Sequence, residues 1–154
     1  MIKQWMKCAV LGTALALGTP VVMAQGSAAF APTTQLAGQT LQLNGQGVRY
    51  RTVIPVYEMG LYTAKKVTTP EQLLSLPGPK RASFVALRDF PGEQMGLSLV
   101  RGMRENADPA HAIAVAGYMD KLGRIFSTEK KIAAGQAFAQ EHVPGKGTVF
   151  LTTG

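Results

Sequence analysis

The chain is poor in the residue types that most often carry metal chemistry or nucleophilic catalysis. Its 154 residues include one cysteine, Cys8, and two histidines, His111 and His142. No carboxylate lies near either histidine at metal-ligand spacing, so we predict no metal site and no cofactor. Ser83 and Ser98 lack a G-x-S-x-G elbow or an evident triad, which gives hydrolysis no support. We therefore predict no catalytic residue.

The N-terminus has the pattern of a secretory signal peptide. Two lysines precede an apolar run at residues 8–17, and small residues at 22–24 favour cleavage after Ala24. The run is shorter than the ~20 apolar residues that span a bilayer, although an uncleaved N-terminal anchor is the alternative. Removing residues 1–24 takes away the cysteine and both lysines, so the formal charge falls from +7 to +5. We predict export to a bacterial periplasm, with no stable membrane span after cleavage.

Basic residues outnumber acidic ones, 16 to 9. They are scattered along the chain, and no aromatic residues interleave with them as they do on a nucleic-acid-binding face. In an exported protein this excess charge indicates solubility or attraction to anionic surfaces. We predict no nucleic-acid partner.

After the signal peptide we predict a flexible lead-in at residues 25–38 and one domain at residues 39–154. Strands come first, two helices follow in the middle, and strands return at the end. This order favours an α+β fold, with helices packed on one face of an antiparallel sheet. The predicted elements are a strand at 40–43, a short helix after Thr69, a strand at 82–87, helices at 92–106 and from Pro109, and a strand–turn–strand unit at 136–154.

Residues 43–62 are the most informative stretch. They read as two β-rich runs, with a turn signal at Asn44-Gly45 before them and Pro55 between them. Strand alternation puts Val48, Tyr50 and Thr52 on one face and both arginines, Arg49 and Arg51, on the other.

An arginine on a mostly apolar sheet face needs an anion. An internal carboxylate such as Glu58 or Asp89 would serve, and so would the carboxylate of a ligand. Plain solvent exposure of Arg49 is a third possibility. The residue pattern leaves these three interpretations open.

Several motifs resemble the bacterial chalcone isomerase-like proteins. Leu-Asn-Gly-x-Gly-Val-Arg-Tyr begins at Leu43, and Val-Tyr-x-x-Gly-Leu-Tyr begins at Val56. Further matches in the same order lie at residues 76–81, 87–89 and 143–148. Members of this family usually continue into a further strand pair and a C-terminal helix, so we expect this chain to lack that part.

The resemblance implies an open-faced β-sandwich with a cleft between the sheet and the helices. In plants this fold serves enzymes that cyclise chalcones and proteins that bind fatty acids without catalysis. In both, an arginine at the position of Arg49 points into the cleft. Guanidinium geometry suits a carboxylate in particular. We predict Arg49, Tyr57, Tyr62 and Met95 as ligand-binding residues, although tyrosines on strands and methionines on helices more often belong to a core.

The catalytic residues of the enzymes do not carry over. By this alignment their tyrosine and asparagine correspond to Met95 and Gly102, and their threonine falls near Tyr57. Without the helical pair, the orientation and electrostatic stabilisation needed for cyclisation are lost. We therefore predict an exported, non-catalytic domain that binds a small amphiphilic carboxylate such as a fatty acid. The alternatives are an isomerase or lyase acting on an unknown phenolic or enone substrate, and a structural or partner-binding protein with a packed cleft.

Overall fold

The computed structural model describes residues 30–106, 108–128 and 130–152, without the side chains of residues 109–115 and 127. The predicted signal peptide lies outside the described residues. The described chain forms a six-stranded antiparallel sheet and three helices. The strands are β1 (Thr33–Leu36), β2 (Gln39–Arg51), β3 (Ile54–Thr63), β4 (Lys80–Ala86), β5 (Ala137–Val143) and β6 (Gly147–Thr152), and the helices are α1 (Pro70–Ser75), α2 (Gly92–Asn106) and α3 (Pro109–Thr128).

The sheet is a simple meander in which each strand pairs with the next one along the chain. The long connection between β4 and β5 contains α2 and α3, which pack on one face of the sheet. This arrangement confirms the predicted α+β class.

The helix starts follow their local sequence signals. The hydroxyl of Thr69 accepts a hydrogen bond from the backbone N–H of Gln72 at 3.2 Å, and Pro70 occupies the first helical position of α1. α2 begins at Gly92 and α3 at Pro109, as their apolar spacing and cap residues predict.

The core lies between the helix pair and strands β4, β5 and β6. The rings of Phe84 and Phe138 stack with centroids 4.8 Å apart. Phe126 of α3 meets Phe138 edge-on at 6.4 Å and Phe150 edge-on at 5.9 Å. Phe126 is 2% exposed and Met95 of α2 is 3% exposed, so both helices contribute to this core.

The predicted turn positions around β2 are wrong. Asn44 lies inside β2, where the register with β3 shifts at a β-bulge, and Pro55 lies inside β3. The chain reverses instead at Thr52 and Val53, and Thr52 has φ +58°. The bulge is held because the side-chain oxygen of Asn44 accepts a hydrogen bond from the Val67 backbone N–H at 2.8 Å. This long-range contact overrides the local turn preference of Asn-Gly.

The predicted flexible lead-in contains a strand. Residues 33–36 form β1, which pairs with the start of β2. The turn between them consists of Ala37 (φ 50°) and Gly38 (φ 76°). Two positive φ values match the right-handed twist of a tight hairpin, so the predicted flexible lead-in is wrong at residues 33–38.

The bulge at Asn44 also changes which face β2 presents. Leu43 pairs with Tyr62, but Gly45 pairs with Leu61, the adjacent residue of β3. Because neighbouring residues of β3 point to opposite faces, Leu43 and Gly45 do as well. From Gly45 onward, the odd-numbered positions of β2, including Arg49, face the helix side of the sheet.

Candidate functional site

Arg49 lies on the sheet face that carries the helices. It pairs directly with Tyr57, and directly paired residues share a face. The ring of Tyr57 contacts Phe84 of the core edge-on, with centroids 5.5 Å apart. Val48 pairs with Glu58 and faces the other way. The alternation predicted from the sequence is thus confirmed at Arg49 and Val48.

The same face of β2 carries almost no side chains. Gly45 and Gly47 share it with Arg49, and a Cβ added to either glycine would meet nothing within 4 Å. We call these two residues the glycine strip. Across the strand boundary they pair with Leu61 and Met59, which are half-buried. The result is an exposed strip of backbone beside two half-buried apolar side chains.

Arg49 follows the glycine strip on the same face of β2, and neither predicted internal carboxylate pairs with it. Within the described ranges, Glu58 is buried on the opposite face. Asp89 is engaged elsewhere, since it accepts hydrogen bonds from the Ala134 N–H at 2.8 Å and from Lys131 Nζ at 3.0 Å. Those two donors, the backbone one first, lower the pKa of Asp89 below its usual value. A salt bridge from Arg49 to either residue is therefore not the arrangement seen.

The side chain of Arg49 is exposed, which is the third interpretation that the sequence left open, and it does not lie deep inside an apolar cleft. Arg51, two residues further along β2, lies on the same face. Its Nη1 donates to Oε1 of Gln94 in the first turn of α2 at 3.5 Å, a long and weak hydrogen bond. This contact places the start of α2 beside the end of β2.

The four predicted ligand-binding residues do not form one cluster. The structure brings Arg49 and Tyr57 together. Tyr62 is buried on the opposite face, where its hydroxyl donates to the Ala31 carbonyl at 2.9 Å. Burial raises the pKa of Tyr62, with the nearby positive charge of Arg81 acting in the other direction. Met95 is buried in the core, where it packs with the aromatic cluster.

Comparisons with known proteins place the chain in a family. A family model described as chalcone isomerase-like matches residues 23–154. The chain belongs to the chalcone isomerase-like family. A comparison with curated proteins finds no match. None of the helices in the described ranges is long and apolar enough to cross a membrane.

Met95 and Gly102, the residues that the resemblance matches to the polar pair of the enzymes, both lie on α2 of this chalcone isomerase-like chain. Met95 is buried in the core and Gly102 has no side chain. The nearby Ser98 hydroxyl donates to the Gln94 carbonyl of its own helix at 2.7 Å. In the part of the chain that the structure covers, no three histidine, cysteine or acidic side chains group to hold a metal ion.

Sequence reasoning missed the glycine strip because Gly45-x-Gly47 was interpreted as part of a hairpin turn. The available signal was the spacing itself. Two glycines and an arginine at i, i+2 and i+4 occupy one face of any regular strand. In this member of the family, that spacing marks a strand surface left open beside a cation.

Proposed function

We propose that this protein is an exported, non-catalytic binding module of the chalcone isomerase-like family, which holds a small amphiphilic carboxylate such as a fatty acid. The carboxylate would pair with Arg49, and the hydrocarbon tail would lie along the glycine strip. The observation that carries the proposal is the open space over Gly45 and Gly47, in line with an exposed arginine that pairs with neither Glu58 nor Asp89.

The chemistry of Arg49 and of the glycine strip fits such a ligand. Guanidinium can bind a carboxylate through two parallel hydrogen bonds. From Arg49 to Gly45 the strand spans about 13 Å, at ~3.3 Å per residue, which gives an extended tail room to lie flat. Each methylene group that leaves water against Met59 and Leu61 would contribute about 0.8 kcal/mol.

Two sequence features support the non-catalytic and exported parts of the proposal. Met95 and Gly102 offer no hydroxyl or amide to orient a phenolic substrate, which disfavours isomerase chemistry. Residues 1–24 have the charge and hydropathy pattern of a signal peptide, which supports a periplasmic location. An intact mass that starts at Gln25, measured on protein from the periplasmic fraction, would establish the cleavage.

Native mass spectrometry of the protein expressed in bacteria tests the binding function. We expect a co-purified lipid on the wild-type protein and its loss from Arg49→Ala. The matched control is Arg124→Ala, which removes an exposed arginine from α3, where it pairs with Asp120 at 3.8 Å. An empty wild-type protein that also fails to take up added laurate would rule out the binding module, and undiminished loading of Arg49→Ala would rule out the anchor.

A further inference from the structure

The β2–β3 hairpin extends beyond the rest of the sheet. Pairing between β3 and β4 begins at Tyr57, whereas β2 and β3 remain paired out to Arg51 and Ile54. Strand β1 pairs with β2 only at residues 39–42. Residues 50–55, which we call the hairpin tip, therefore have no other strand beside them in the described structure.

The hairpin tip exposes large apolar side chains at its end. Val53 is 82% exposed, Tyr50 55% and Ile54 47%. Isolated apolar residues on a surface are ordinary, but three within five residues form a concentrated patch at a protruding point.

The charged residues of the hairpin itself have one sign. Arg49 precedes the tip and Arg51 lies within it, and residues 45–57 contain no aspartate or glutamate. Both arginines lie on the helix-side face of β2, and Tyr50 lies on the other face, paired with Pro55. The apolar end is thus bordered by cations along one side.

We propose that the hairpin tip docks on the surface of a membrane rich in anionic phospholipids. Val53 and Ile54 would enter the boundary between head groups and acyl chains, and the ring of Tyr50 suits the same depth. The arginines can extend their apolar stems along this boundary while their guanidinium groups meet lipid phosphates.

The size and charge of the patch favour a membrane over a protein partner. A stable protein interface buries about 800 Å² on each side, which is more than three side chains at a narrow turn supply. A membrane needs no complementary pocket, and anionic lipids attract the whole chain because its formal net charge is +7, or +5 without residues 1–24. Membrane docking of the hairpin tip does not depend on whether the glycine strip holds a ligand.

Co-sedimentation with vesicles tests the proposal, using the chain from Gln25 onward throughout, so that the apolar run at residues 8–17 does not itself bind lipid. Vesicles of phosphatidylethanolamine and phosphatidylglycerol should bind the wild-type protein more tightly than phosphatidylcholine vesicles do. The double variant Val53→Ser/Ile54→Ser should lose most of this affinity, and Arg51→Ala about fivefold, as expected for one basic residue near an anionic surface. The rest of the chain is common to all variants, so the differences report the hairpin tip alone.

The matched control is Leu74→Ser, which removes an apolar side chain that is 83% exposed on α1, away from the hairpin. It should bind vesicles like the wild type. Equal binding by the double variant, or an equal loss in Leu74→Ser, would overturn the proposal, and so would wild-type binding that does not distinguish the two vesicle types. Lipid loading measured by mass spectrometry should be unchanged in the double variant, so failure here leaves the binding function to its own test.

Discussion

The helix-side face of the sheet differs sharply between its two halves. Over β4 and β5, Phe84 and Phe138 stack beneath the helices, and Phe126 closes the cluster from above. Over β2, the same face presents two glycines with open space above them and an exposed arginine. One half is filled by the protein itself, and the other has room for something else.

This difference separates stability from binding. The aromatic cluster removes a large apolar area from water, which is the main favourable contribution to folding. The glycine strip buries nothing in exchange for its conformational freedom, and glycine within a strand is unfavourable. Substitutions in the packed half should therefore change the free energy of unfolding, and substitutions in the open half should change ligand retention.

The largest effect on stability is expected in the packed half, from Phe126→Ala. Phe126 is 2% exposed and contacts two other aromatic rings, so its truncation leaves a cavity. The free energy of unfolding in urea should fall by about 3–5 kcal/mol. As a control, Leu97→Ala on α2, where the side chain is 62% exposed, should change it by about 0.5 kcal/mol or less. Comparable losses in the two variants would place the core elsewhere.

Gly47→Val tests the open half of the helix-side face, because it puts a side chain on the glycine strip. A Cβ at Gly47 has nothing within 4 Å, and valine favours strand geometry, so stability should rise by about 0.5–1 kcal/mol. The same side chain would cover the glycine strip, so we expect the protein to lose its lipid.

Thr148→Val on β6 is the control for Gly47→Val, because it puts a valine at the far edge of the sheet, where it replaces a threonine whose Oγ1 lies 3.4 Å from His142 Nδ1. Mass spectrometry should find its lipid load unchanged. A Gly47→Val protein that still carried lipid would show that the ligand does not use the glycine strip.

The smallest effect on stability is expected from Asp89, which binds the loop at residues 131–134, and it depends on pH. Asp89 fixes Ala134 and Lys131, next to Ile132, which is 3% exposed. Its pKa is lowered in the folded state, so its contribution to stability is present above the unfolded value of ~3.9 and lost as the pH falls through the folded value.

Asp89→Asn should therefore be less stable than the wild type at pH 7, and the difference should shrink as the pH falls below ~4. Urea midpoints at the two pH values measure it. Asp120→Asn on α3 is the control, since its carboxylate is exposed and 3.8 Å from Arg124. A constant gap between Asp89→Asn and wild type across this pH range would mean that the carboxylate charge is not what fixes the loop.

Much of the fold follows from local signals that no tertiary contact opposes. Thr69 and Pro70 begin α1, and the 3.6-residue apolar spacing from Gly92 defines α2. The turn positions around β2 could not be predicted in the same way. Asn44 is placed by its hydrogen bond to Val67, 23 residues away, and nothing in the local sequence indicates that contact.

The candidate site was only partly accessible from the sequence. Alternation within β2 was enough to put Arg49 and Val48 on opposite faces. Tyr57 and Tyr62 are five residues apart, so an uninterrupted strand already implies opposite faces for them, and Tyr62 should have been separated from Arg49 on that ground. The apolar spacing of α2 already put Met95 on the stripe that faces the core, so its burial could be predicted from the sequence.

Asn44 is the extra residue in β2, and it reverses which face the odd-numbered positions of the strand occupy. Leu41, Leu43 and Arg49 all have odd numbers, and in a regular strand they would project from the same side. Because one additional residue is inserted between them, the leucines and the arginine point to opposite faces of the sheet. A single deletion at this point would force either the leucines or the arginine to exchange sides, so the direction of the charge depends on a residue that never touches it.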